Sequence, residues 1–173
     1  MSNGLDNFSM DFFSLKGKVA IVTAGNTGLG QAYAVALAKA GADLVIPTHG
    51  KDWDETRRLI ENEGRQVIFV QGDLTNNEDR ENVIKLAVQV YGKIDILVNN
   101  AGTIRRAPLL EYTEEDWNAV MDINLNALYF LSQDVAKIMV KQGAGKIINI
   151  ASMLSFQGGK FVPSYTASKH GVA

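Results

Sequence analysis

Short apolar, β-branched runs alternate with amphipathic helical stretches along almost the whole chain, and this alternation limits the fold more than any other feature. Val19-Ala20-Ile21-Val22, Leu44-Val45-Ile46, Val67-Ile68-Phe69-Val70, Ile94 to Val98 and Ile147-Ile148-Asn149-Ile150 read as buried strands. Runs this apolar have no polar face, so they belong in a parallel sheet covered on both sides. Between them lie helical stretches. Residues 28–40 carry Leu29, Ala32, Tyr33, Ala36, Leu37 and Ala40 at helical spacing, with Gly41 at the C-cap. Residues 52–63 close at Gly64, and a third helix runs from Asn76 to about Gly92. A long fourth helix runs from Thr113 to near Gly143. Asn76 with Asp79, and Thr113 with Asp116, are spaced as capping boxes. Pro163-Ser164 opens a further helix. Residues 1–16 form a polar lead-in with an aromatic anchor at Phe8, Phe12 and Phe13. There is no repeat and no low-complexity linker. The pattern predicts an α/β fold in one domain over residues 1–173. A doubly wound sheet normally carries at least one strand beyond the fifth, so the domain is expected to be incomplete at its C-terminal end.

Composition narrows the function. A chain of 173 residues is about one domain, enough to bury roughly 70% of its unfolded surface. Lys and Arg number 17 and Asp and Glu 19, a net charge of −2, which argues against a nucleic-acid partner. With no Cys there is no disulfide, no Cys zinc site, no thiol nucleophile and no iron–sulfur cluster; no metal is expected. No apolar run approaches the ~20 residues that span a bilayer. The opening MSNGLDNFSMDFFS lacks the basic and apolar regions of a secretory signal. A cytoplasmic protein with a small-molecule partner is expected.

Thr23-Ala24-Gly25-Asn26-Thr27-Gly28-Leu29-Gly30 follows the first strand directly and runs into a helix. Glycines here let backbone approach a phosphate, and the helix N-terminus offers free N–H groups to a diphosphate. At the end of the second strand stand Pro47-Thr48-His49-Gly50. Neither the acidic residue that grips an NAD ribose nor a clear Arg for an NADP phosphate is there. Asp43 is at the wrong end of that strand, and His49 is assigned no role. The third strand ends in Asp73-Leu74, the fourth in Asn99-Asn100-Ala101-Gly102 and the fifth in Ala151-Ser152. Four strands thus deliver small or hydrogen-bonding residues to the carboxyl edge, where doubly wound sheets bind ligands. On the long helix, Asn124 sits in the apolar stripe Val120, Ala127, Leu131, Val135, Ile138, so its amide needs partners. In Tyr165-Thr166-Ala167-Ser168-Lys169 the phenol and the ammonium lie on one helix face. A nearby cation favours phenolate, which makes Tyr165 a candidate general acid/base for an alcohol or carbonyl.

Together, TAGNTGLG (23–30), DL (73–74), NNAG (99–102), Asn124, Ser152 and YTASK (165–169) resemble the short-chain dehydrogenase/reductase family, with Ser152 thirteen residues before Tyr165. The resemblance implies a Rossmann-like doubly wound parallel sheet, with five strands visible in the order 3-2-1-4-5 and the C-terminal strands missing. It implies a nicotinamide dinucleotide as cofactor. It makes Tyr165 the acid/base, Lys169 its pKa-lowering neighbour and ribose ligand, and Ser152 the donor to the substrate oxygen. Asn124 would hold a water that links Lys169 to solvent. Asn26, Thr27, Gly28, Leu29 and Gly30 would meet the diphosphate region, Asp73 and Leu74 the adenine, and Asn100, Ala101 and Gly102 the adenosine ribose. Ala24 stands where the family's first glycine usually sits, with Gly25 beside it to absorb the strain. TIRRAPLLEY (103–112) and the stretch 147–173 resemble the sugar-acid branch, the 2-deoxy-D-gluconate 3-dehydrogenases with gluconate 5-dehydrogenases close by. That branch implies NAD, with NADP not excluded, and a homo-oligomer, dimer or tetramer. Arg105, Arg106 or both would bind the substrate carboxylate, one facing the cleft and the other solvent or protein. Two other readings stand beside this one: a nucleotide-binding protein without catalysis, and a reductase of carrier-linked 3-oxoacyl ketones.

Overall fold

The computed structural model describes residues 9–173. The strands are β1 (Val19–Val22), β2 (Asp43–Thr48), β3 (Val67–Gln71), β4 (Ile96–Asn99) and β5 (Lys146–Asn149). The helices are α1 (Gly28–Lys39), α2 (Asp54–Glu61), α3 (Asn77–Tyr91), α4 (Glu114–Met121), α5 (Leu128–Gln142) and α6 (Pro163–Val172). All strand pairs are parallel and the order is β3-β2-β1-β4-β5, the expected doubly wound α/β sheet. The order reverses between β1 and β4, which places the topological switch point beside the glycine turn.

β1, β2 and β4 bury both faces, as their lack of a polar side required, whereas β5, expected to be buried, does not. Val19, Ile21, Val45, Val70 and Leu97 pack with Val83 and Ala87 of α3 and Leu131, Val135 and Met139 of α5. Ala20, Val22, Leu44, Ile46 and Val98 pack on the other side with Ala34 and Ala38 of α1 and Ile60 of α2. The face that α1 buries is Gly30, Ala34 and Ala38 rather than the larger apolar residues of the expected stripe; Leu29 is exposed. Small residues at i, i+4 and i+8 let this helix lie close on the sheet. All four residues of β5 are exposed, Ile147 at 38% and Ile148 at 47%. Phe8 lies outside the described residues, and Phe12 and Phe13 are exposed in a 3₁₀ turn. Among the described residues no helix is long and apolar enough to cross a membrane.

Two helix starts differ from expectation. Asn76 accepts a hydrogen bond from the Glu78 N–H, but the Asp79 carboxylate accepts from the Asp73 N–H at 2.7 Å. Asp79 therefore braces the end of β3 rather than closing a box. Thr113 caps α4 by accepting from the Asp116 N–H, while the Asp116 carboxylate pairs with Arg105. The long fourth helix is also not uniform. A π-helical turn, Asp122–Ala127, joins α4 to α5.

Candidate active site

The turn after β1 is built around a threonine. Thr23 Oγ1 accepts hydrogen bonds from the N–H groups of Asn100 at 2.9 Å and Ala101 at 2.8 Å. Asn100 Nδ2 in return donates to the carbonyl of Thr23 at 3.0 Å. These bonds stitch the carboxyl ends of β1 and β4 at the switch point. A Cβ on Gly30 would collide with the Ala24 carbonyl and lie 2.6 Å from Asn100 Nδ2, so only glycine allows α1 to start this close. Ala24 has φ +51°, the left-handed conformation that L residues avoid. Gly25 does not absorb that strain; only Gly28, at φ +55°, shares the left-handed region within this turn. No side chain caps α1 at Thr27. Its first N–H groups are thus left for a ligand, with open space above Gly28.

Asn26 is committed elsewhere. Its side chain accepts from Thr48 Oγ1 at 2.7 Å and donates to the Asp52 carbonyl at 3.0 Å, which pins the loop after β2. Asn26, Thr27 and Gly28 line a cavity of about 200 Å³ with Asp52 and Trp53.

A larger cleft of about 480 Å³ opens along the carboxyl ends of β1 to β4. Ala24, His49, Asp73, Leu74, Gly102 and Arg105 line it, among others. The Asp73 carboxylate accepts from the Thr75 N–H and hydroxyl at 2.9 and 2.8 Å, and those bonds hold it below its ordinary range. Arg105 lies on the rim, its Nε 3.4 Å from Asp116 and its Nη1 3.1 Å from Thr103 Oγ1. Arg106 is exposed, with no ion-pair partner among the described residues. His49, assigned no role from sequence, belongs to this cleft.

The second half of the site gathers on α6, which packs against α4, the π turn and the 3₁₀ turn Met153–Ser155. Lys169 is 6% exposed, and its ammonium donates to the Ile150 carbonyl at 2.6 Å. Its Nζ lies 5.7 Å from the centre of the Tyr165 ring. Burial lowers the Lys169 pKa from its ordinary value. Ser152 caps the 3₁₀ turn, accepting from the Leu154 N–H, and Ser155 Oγ donates to the Lys169 carbonyl at 2.7 Å. The loop after β5 is thereby tied to the lysine. Asn124 is fully buried within the π turn. Its Oδ1 accepts from the Thr103 N–H at 2.8 Å, and its Nδ2 donates to the Thr103 carbonyl and to Ser168 Oγ. The amide thus joins the loop after β4 to α6 and does not reach Lys169. Thr23, Ser155 and Ser168 carried no signal as site residues in the sequence, because their partners lie 14 to 78 residues away and only the fold brings them together.

The model of the family described as short chain dehydrogenase matches residues 18–173. The uncharacterized oxidoreductase YgcW of Escherichia coli is 50% identical over 169 residues, 98% of this chain and 65% of that protein. The 2-dehydro-3-deoxy-D-gluconate 5-dehydrogenase of Bacillus subtilis is 50% identical over 165 residues, 94% of this chain and 64% of that enzyme. A crystal structure from Agrobacterium tumefaciens, provisionally named a 2-deoxy-D-gluconate 3-dehydrogenase and holding NADP, is 49% identical with a TM-score of 0.78. The match covers 92% of this chain and 63% of that one. The chain therefore spans just under two thirds of the length of these relatives. Its sheet order, its glycine turn and this match over nearly every described residue lead to one conclusion: the chain belongs to the short chain dehydrogenase family.

Proposed function

We propose that residues 1–173 act as one cofactor-binding and catalytic domain of a cytoplasmic oxidoreductase. It transfers a hydride between a nicotinamide dinucleotide and a secondary hydroxyl of a sugar acid. The observation that carries this reading is the buried Lys169 ammonium beside the Tyr165 ring, on a helix tied to the carboxyl edge of the sheet by Ser155 and Asn124.

The donor set fits the cofactor. The uncapped start of α1 faces the diphosphate, and Gly30 keeps that approach open. The cleft lined by Asp73, Leu74, Ala101 and Gly102 takes the adenosine. NAD is preferred on the resemblance to the sugar-acid branch; the NADP in a relative keeps the phosphorylated form in the test. When bound, the nicotinamide supplies the hydride acceptor or donor. Tyr165 Oη takes the hydroxyl proton in oxidation and returns it in reduction. Lys169 favours the phenolate by its charge and holds the nicotinamide ribose. Ser152 Oγ donates to the substrate oxygen and steadies developing charge. Arg105 lines the cleft and its ion pair with Asp116 is half exposed, so of the two arginines it is the one placed to grip the substrate carboxylate, with Arg106 facing solvent. The full-length enzyme is proposed to be a homo-oligomer, a dimer or tetramer.

The test is Tyr165→Phe in the full-length protein, assayed with NAD and NADP and a panel of sugar acids. Turnover falls at least a hundredfold, about 2.7 kcal/mol of barrier, while dinucleotide affinity stays within about threefold. A variant that keeps more than about a tenth of kcat removes Tyr165 from the role.

A further inference from the structure

We infer that Arg80, on α3, is a positioning residue for the adenosine half of the cofactor, resting on the nucleotide reading above. Arg80 is 7% exposed, and among the described residues it pairs with no carboxylate. Arginine is almost never this buried unless paired. Its Nη1 donates to two consecutive carbonyls, Leu74 at 2.7 Å and Thr75 at 3.0 Å. Its Nη2 donates to Asn77 Oδ1 at 3.2 Å, and its Nε is buried without a hydrogen-bond partner. The guanidinium lies over the half-exposed ring of Phe130 on α5, 5.5 Å from its centre.

A buried cation without a counter-ion is a poor filler between two helices, where a long apolar side chain would pack at lower cost. The guanidinium must therefore act on what it touches. Leu74 and Thr75 line the large cleft beside Asp73. The Asp73 carboxylate is held by the N–H and hydroxyl of Thr75, so fixing the Thr75 backbone fixes that carboxylate too. Arg80 grips this wall through the two carbonyls, with its guanidinium against Phe130. Nη1 holds the two carbonyls while Nη2 holds Asn77 Oδ1, a set spread over two nitrogens of one planar fork that a lysine's single nitrogen does not reproduce.

The experiment compares Arg80→Lys and Arg80→Met with wild type in the full-length protein, by calorimetric titration with NAD and with AMP. In both variants the two affinities fall by the same factor, about tenfold, because the whole loss lies in the adenosine contact. The KM for the dinucleotide rises likewise, and kcat stays within about twofold. AMP affinity within about twofold of wild type overturns the proposal. So does a loss for NAD well beyond the loss for AMP, the mark of general loosening. A wild-type protein that binds neither AMP nor NAD overturns the nucleotide reading, and this role with it.

Discussion

The backbone at Ala24 is left-handed at φ +51°, in a turn where the chain has glycines to spare. For an alanine that conformation costs about 1–2 kcal/mol, of which a glycine would lose back about 0.5–1 through its freer unfolded chain. Ala24→Gly is therefore expected to raise stability by about 0.5–1 kcal/mol, about 1–4 °C in Tm. Differential scanning calorimetry checks it; a lower Tm would mean that the turn is relaxed as it stands. At Lys169 the sign of the pH effect follows from burial. Its pKa in the fold lies below the ordinary 10.5, so the folded state binds fewer protons than the unfolded one at alkaline pH. The penalty of the buried charge is fully present below the depressed pKa and is relieved as pH rises through it toward 10.5. Lys169→Met is expected to lose turnover, to melt no lower than wild type at pH 7, and to lack the wild-type gain in Tm on the alkaline side. Thermal melts from pH 7 to 10.5 decide this. The Tyr165–Lys169 pair was legible in the sequence because four residues make one helical turn. The strain at Ala24 was not, since composition does not say which of two adjacent residues takes the positive φ.

Asp95 shows what a single element start can carry. Its carboxylate accepts from the Val19 N–H at 2.9 Å, and Lys18 and Lys93 lie at 3.2 and 3.3 Å. Its own N–H donates to the Val19 carbonyl, and its carbonyl accepts from the Lys146 N–H, so it joins the beginnings of β1, β4 and β5. Burial pushes its pKa up, but the bonds from Val19, Lys18 and Lys93 outweigh that and hold it low. The stabilisation is present above the ordinary carboxylate value and is lost as pH falls through the depressed one. Asp95→Asn is expected to cost about 1.5–3 kcal/mol at pH 7, with the gap from wild type closing at acid pH. Urea melts at pH 7 and pH 3 measure both. The π turn was the element that the sequence concealed. Val120, Asn124 and Ala127 stand four and three apart, which suits an unbroken α-helix equally well, and the extra residue shows only in the backbone. In α5 the buried stripe runs Leu131, Val135, Met139, with Ile138 partly buried beside it. Strand and helix order, by contrast, was legible nearly throughout, because short continuous β-branched runs bounded by turn residues are too short for helices and the longer stretches keep a period of 3.6.

Across the whole molecule, β5 is the sheet's weak margin. Ile147 and Ile148 point to opposite faces and both remain partly open, whereas Leu97 on the neighbouring strand is wholly buried. An apolar strand at a sheet edge invites pairing with a second copy. The 173-residue chain is expected to self-associate with rising concentration, and Ile148→Lys to suppress this while costing less than about 1 kcal/mol of stability. Sedimentation velocity over a concentration series tests the pair; equal association in both proteins would place the contact elsewhere. The two ends of the sheet divide the labour differently. The ion pairs around Asp95, and the one between Arg65 and Asp43, stand at the amino ends of the strands, while the glycine turn, Asp73 and the α6 cluster stand at the carboxyl ends. Selection can therefore act on endurance and on chemistry along separate margins of one scaffold. A lineage moving to hotter or more acidic surroundings has the Lys18–Asp95–Lys93 margin to rework, with the carboxyl margin left as it is.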